Sequence, residues 1–121
     1  MMKEEKDNII VNKTFEFSLS ILNLYEYFNS KHEYIVSKQL IKSGTSIGAN
    51  VEEAIGAQSK KDFIHKMSIA RKEARETRYW LKLIKESKSF DLNCDKMLND
   101  IDEILRILVK IIKTSEGSSN L

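Results

Sequence analysis

At 121 residues the chain can build one well-packed domain but not two, so positions 1–121 read as a single unit with polar tails over about 1–8 and 116–121. It has no proline and only four glycines, which argues against the turn-dense chains of sandwiches and barrels, and its 31% charged residues suit helices. A net charge of +2 does not by itself point to nucleic acid, and the lone Cys94 excludes an internal disulfide. No apolar run approaches the roughly 18 residues of a membrane span, and the N-terminus lacks a signal-peptide core; the expected compartment is the cytoplasm.

From Asn8 onward an apolar residue recurs every three or four positions: Ile10, Thr14, Phe17, Ile21, Leu24 and Phe28. That spacing predicts an amphipathic helix with Asn8 or Asn12 as its N-cap. Val11, Phe15, Ser18, Leu22 and Tyr25 form a neighbouring seam and are expected to widen its buried stripe. Ser30 stands three residues before Glu33, the spacing of a capping box, so a second helix is expected from about Lys31 to Gln58. One face of it carries Leu40, Ser43, Ile47, Asn50, Ala54 and Ala57; Ile41, Gly44, Gly48, Val51 and Ile55 run alongside.

Each glycine inside a helix costs about 1 kcal/mol relative to alanine. Gly44 and Gly48 therefore need a reason, and close approach of another backbone is the physical one available.

Ser59 and Asp62 repeat the capping spacing, and a third helix follows with the most regular heptads: Phe63, Met67, Ala70, Ala74, Thr77, Leu81 and Ile84. The connection from Lys88 to Asp95 is expected to be anchored by Phe90 and Leu92. A fourth helix carries Met97, Ile101, Ile104, Leu108 and Ile111, flanked by Leu98, Leu105 and Ile112, with Gly117 as its expected C-cap. Short links between amphipathic helices predict an all-α, antiparallel up-down-up-down four-helix bundle.

The stretch SGTSIGANVEEAIGAQSKKDF, from Ser43 to Phe63, with the following IHKMSIARKEARETRYWL, resembles the "four helix bundle protein" family, also called 23S rRNA-intervening-sequence proteins. The core of the match is Ser46-Ile47-Gly48-Ala49-Asn50-Val51-Glu52-Glu53, then Ser59 to Phe63. Many relatives carry proline where this chain has Gly48 and glycine where it has Ala54. The resemblance implies a homopentameric ring and a family without an established enzymatic activity. The accessory variability determinant of diversity-generating retroelements is similar in fold, is pentameric, and works with a reverse transcriptase and RNA.

Catalytic chemistry has little support. His32 falls at the expected cap and His65 lies near Lys61 and Lys66, with no carboxylate to orient it. Glu52 and Glu53 are adjacent on a helix and point about 100° apart. One cysteine and two distant histidines do not make a zinc site. No enzyme, metal, cofactor or small-molecule substrate is expected, and Cys94 is expected to be inert.

Asn50 lies on the core face beside Ile47, where its amide either sets helix register or meets a ligand. Tyr25, Tyr79 and Trp80 are candidates, with Gly44, Ile47, Gly48 and Asn50, for close packing or a contact between copies of the chain. Arg71, Arg75, Arg78, Lys82 and Lys85 recur at spacings of four, three, four and three, forming one basic stripe on the third helix. From Lys60 to Lys88 there are ten Lys or Arg against four Asp or Glu, a local +6 that leaves −4 elsewhere. That segregation suits a phosphate backbone, and the resemblance implies RNA or an RNA-associated protein such as a reverse transcriptase as partner. The stripe would equally serve as a solvated face or pair with Glu52, Glu53, Glu73 and Glu76 of another copy.

Overall fold

The computed structural model describes residues 5–118, with side chains from residue 9 to residue 117. The tail expectations for residues 1–4 and 119–121 lie outside the described residues. The described chain is all helix and connection, without a strand: α1 (Glu5–Asn23), α2 (Tyr25–Ser30), α3 (Ile35–Ile55), α4 (Lys60–Glu86) and α5 (Asp95–Ser118). The four long helices form a four-helix bundle. α1 lies against α3 and α5, α4 lies against α3 and α5, and α3 and α4 share the most extensive contact.

Residue numbers run in opposite senses across two of these contacts, α1 with α3 and α4 with α5. Gly44 of α3 faces Ile21 of α1 and Gly48 faces Thr14 and Ser18, while α4 meets α5 through Arg78 with Asp102 and Lys85 with Asp95.

The heptads account for the core. All seven of the third-helix heptad residues, Phe63 to Ile84, are buried, as are Ile10, Thr14, Phe17, Ile21 and Phe28 on α1 and α2. On α5, Ile101, Ile104, Leu108, Ile111 and Ile112 complete it. At mid-height the buried hydroxyls of Ser43 and Thr77 are hydrogen-bonded 2.9 Å apart, and Thr77 Oγ1 lies 2.8 Å from the Glu73 carbonyl. Small side chains at this level (Ser43, Ala70, Ala74) let α3 and α4 approach closely.

Gly44 and Gly48 serve the contact with α1. A Cβ on Gly44 would lie 2.8 Å from Ile21 Cγ1, and one on Gly48 would lie 3.3 Å from the Thr14 carbonyl oxygen and Ser18 Oγ. Asn50 is half-buried and donates from Nδ2 to the Ser46 carbonyl at 2.8 Å, an interaction within its own helix.

Several expectations from sequence are corrected. The chain is already helical at Glu5, so Asn8 and Asn12 lie inside α1 instead of capping it. The second seam is buried only in part: Val11 packs against the core and Ser18 lies against Gly48, whereas Phe15 is 61% exposed, Leu22 50% and, on α2, Tyr25 55%. Among the described helices α1 is contacted by α3, α5 and the short α2, which leave Phe15 and Leu22 uncovered.

No capping box forms at Ser30. Its hydroxyl turns back to donate to the Tyr27 carbonyl at 2.7 Å, and α3 begins only at Ile35. Glu33 caps α3 alone, its carboxylate accepting from the Val36 and Ser37 amides at 3.1 and 3.0 Å.

The residues between are occupied in ending α2. Glu33 N–H donates to the Phe28 carbonyl and His32 N–H to that of Asn29, with His32 at φ 55°, which is the Schellman arrangement with histidine at the left-handed position. α3 stops at Ile55 and not Gln58. Gly117 lies within α5, which runs to Ser118, so it is not the C-cap. Ser59 does cap α4, its hydroxyl accepting from the Asp62 amide at 3.0 Å. The connection from Ser87 to Cys94 is held by Phe90, which packs edge-to-face on Phe28 at 5.7 Å, and by the Asp91 amide donating to Tyr27 Oη at 2.9 Å.

Two substitutions probe this architecture by urea denaturation. Gly44→Ala gains about 1 kcal/mol of helix propensity but overpacks Ile21 by about 1–3 kcal/mol, so a net loss is expected. His32→Gly relieves a left-handed residue costing about 1–2 kcal/mol and adds about 0.5–1 kcal/mol of unfolded-state entropy, so a net gain is expected. A stabilising Gly44→Ala, or a destabilising His32→Gly, would contradict these contacts.

Candidate nucleic-acid interface

The basic stripe of α4 lies along the groove between α4 and α5, and the structure divides it into two halves. In the half nearer the Ser87–Cys94 connection, acids of α5 answer the bases. Arg78 Nε donates to Asp102 Oδ1 at 2.6 Å, and Lys85 Nζ lies 2.9 Å from Asp95 Oδ1. The hydrogen bond to Asp95 lifts Lys85 above the ordinary lysine pKa. Arg78 and Lys85 are therefore not the solvent-facing free cations that the stripe suggested.

Arg71 and Arg75 in the other half, and Lys82 between Arg78 and Lys85, are exposed and have no carboxylate within ion-pair distance among the described residues. They share an open groove of about 460 Å³ with Arg78 and Tyr79, and its α5 side is formed by the half-buried Leu105 and Val109. A shallower hollow on the same flank adds Lys72, next to Ser68 and between Arg71 and Arg75. Lys72 was missing from the sequence stripe because it lies about 100° round the helix from Arg71; only the structure shows one concave surface reaching both.

Tyr79 is 57% exposed and Trp80 is half-buried; their rings meet edge-to-face with centroids 5.2 Å apart. The Trp80 indole N–H is buried and has no acceptor among the described residues. Trp80 therefore holds Tyr79 by packing and not through a hydrogen bond.

The remaining candidates do not converge with this groove. Tyr25 is exposed on α2, whereas Gly44, Ile47, Gly48 and Asn50 belong to α3. A second group of charges joins α1 to α5: Lys13 pairs with Glu103, raising the lysine and lowering the carboxyl from their ordinary pKa values. His32 Nδ1 lies 3.3 Å from the Tyr34 hydroxyl at an exposed turn. Among the described residues no three His, Cys, Asp or Glu side chains gather as metal ligands would, and no helix is long and apolar enough to cross a membrane.

The family profile described as 23S rRNA-intervening sequence protein matches residues 6–110. The chain belongs to this family. Among solved structures it is similar to a crystal structure of a protein with unknown function from the S23 ribosomal protein family of Bacteroides thetaiotaomicron VPI-5482. The two share 46% sequence identity and a TM-score of 0.84, over 89% of this chain and 98% of the other. No curated protein matches the chain. Family membership thus accounts for the fold and for the Ser43–Phe63 signature without assigning a reaction.

Cys94 is buried at the foot of α5, and that burial pushes its thiol above the ordinary cysteine pKa, with Asp95 adding to the effect. The thiolate fraction at a given pH is then lower than in a free thiol, and access is blocked. Ellman's reagent at pH 8 should leave the folded protein unmodified and titrate one thiol in denaturant. Rapid modification of the native chain would contradict this placement.

Proposed function

We propose that the protein is a non-catalytic, homo-oligomeric adaptor, a ring of up-down-up-down bundles, that engages RNA or an RNA-carrying partner through the α4/α5 groove. The observation carrying the nucleic-acid reading is the set of Arg71, Arg75 and Lys82, three exposed cations on one concave surface, none of them ion-paired among the described residues. Such a surface gains affinity by releasing counterions from a phosphate backbone. A ring would repeat it once per copy.

A separate observation supports self-association. Phe15, Leu19 and Leu22 are 61%, 48% and 50% exposed, and their spacings of four and three place them in one strip along α1. Contiguous apolar strips on soluble proteins mark interaction surfaces. The fivefold ring itself comes from the family resemblance. A protein-interaction module without nucleic acid is the second reading, and this strip is what favours it.

The two readings separate experimentally. Replacing Arg71, Arg75 and Lys82 by serine should weaken binding to unrelated RNAs alike and flatten the salt slope by about two to three units, with helicity and particle mass unchanged. Absence of RNA binding by the parent at ~50 mM salt, where electrostatic binding is strongest, would leave the interaction module. Phe15→Ser with Leu22→Ser should reduce the light-scattering mass from a multiple of 14.0 kDa to the single chain. A parent that is already monomeric at micromolar concentration would end the ring reading.

A further inference from the structure

Resting on the nucleic-acid reading of the α4/α5 groove, we infer that the groove takes single-stranded nucleic acid, with an unpaired base stacked on Tyr79 and the flanking phosphates on Arg71, Arg75 and Lys82. The cations alone would accept any polyphosphate. The rest of the surface is more selective: its α5 side is the apolar pair Leu105 and Val109, and its rim carries an aromatic ring that is 57% exposed.

A duplex keeps its base faces stacked on one another and offers this groove only phosphates and sugars. Leu105, Val109 and the Tyr79 ring would gain nothing from it. An A-form RNA duplex also has a major groove too narrow for side chains to read. An unpaired strand presents both kinds of surface at once, a charged backbone and free base faces, and the usual sites for it combine a cationic groove with aromatic platforms.

The spacing of the cations suits a strand followed along the helix. Arg71 and Arg75 are one turn apart, about 6 Å along the axis, and Lys82 lies about 10.5 Å beyond Arg75. Tyr79 falls between Arg75 and Lys82, so a base on its ring leaves a phosphate contact on either side. The ring is also held in advance, since Trp80 packs edge-to-face against it at 5.2 Å. With rotamer freedom already restricted, less is lost when a base stacks.

Trp80 is the only tryptophan of the chain, so its fluorescence reports on Tyr79 directly. The test uses the full chain with a 20-nucleotide uridine- or adenosine-rich RNA and a 20-base-pair RNA duplex carrying the same label, followed by anisotropy and Trp80 emission. Single strands are expected to bind about tenfold tighter than the duplex and to change Trp80 emission. Tyr79→Ala should lose about tenfold on single strands, within the range for one stacked base, with duplex affinity, helicity and particle mass unaltered, and Tyr79→Phe should behave as the parent.

If Tyr79→Ala leaves single-strand binding unchanged while serine at Arg71 and Arg75 weakens strand and duplex equally, stacking is refuted and the electrostatic groove stands. If Tyr79→Ala instead changes the particle mass, the ring lies in a contact between copies and the inference fails. If neither RNA binds at ~50 mM salt, the groove reading falls and this inference falls with it.

Discussion

The contact on which the bundle depends is the one at Gly44, where the missing Cβ leaves room for Ile21 of α1 to seat fully buried against α3. α3 carries the extensive contact with α4 on one side and α1 on the other. Its small residues, Ser43 and Gly44 at neighbouring positions, serve both at the same height: Ser43 meets Thr77 of α4 while Gly44 admits α1. A larger residue at either position would separate one pair of helices and tilt the other, because a core packed to crystal-like density has no free volume to absorb the change. The helix penalty of two glycines is offset by the apolar area that close docking removes from water.

That docking also explains the exposed strip. α1 presents to its neighbours the face centred on Ile10, Phe17 and Ile21, whereas Phe15, Leu19 and Leu22 lie roughly 120–180° round the helix from Ile10 at 100° per residue. Neither α3 nor α5 can cover them. The sequence shows two apolar seams on α1 without distinguishing a seam that faces the core from one that faces outward, since periodicity measures width and not what lies opposite. The same ambiguity does not arise on α4, whose outer face is charged, and there the heptad reading matched the burial residue for residue.

Helix ends were less legible than helix faces. Ser30 and Glu33 have capping-box spacing, yet their backbone is engaged in terminating α2, and the left-handed residue of that termination is His32, not the glycine that would have announced it. Ser59, with no competing helix end immediately before it, behaved as its spacing predicts. The candidate site was half legible for a related reason. The stripe from Arg71 to Lys85 is local and periodic, but Asp102 and Asp95, which engage Arg78 and Lys85, stand 24 and 10 positions away on another helix. Which bases stay free is decided by helix register, and that appears only after folding.

The two surfaces left unsatisfied by the fold are of different kinds and lie on different parts of it. The apolar strip belongs to α1, and the cationic groove lies between α4 and α5; α1 and α4 are diagonal in the bundle and make no close backbone contact. Covering the strip with another copy therefore does not require covering Arg71, Arg75 or Lys82. The Lys13–Glu103 pair between α1 and α5 lies on the remaining side, between the two regions. Burial of apolar area would drive one association and counterion release the other, so high salt should weaken nucleic-acid binding without weakening assembly. On the proposed adaptor reading, that independence would let an assembled state persist while a polyanionic partner comes and goes.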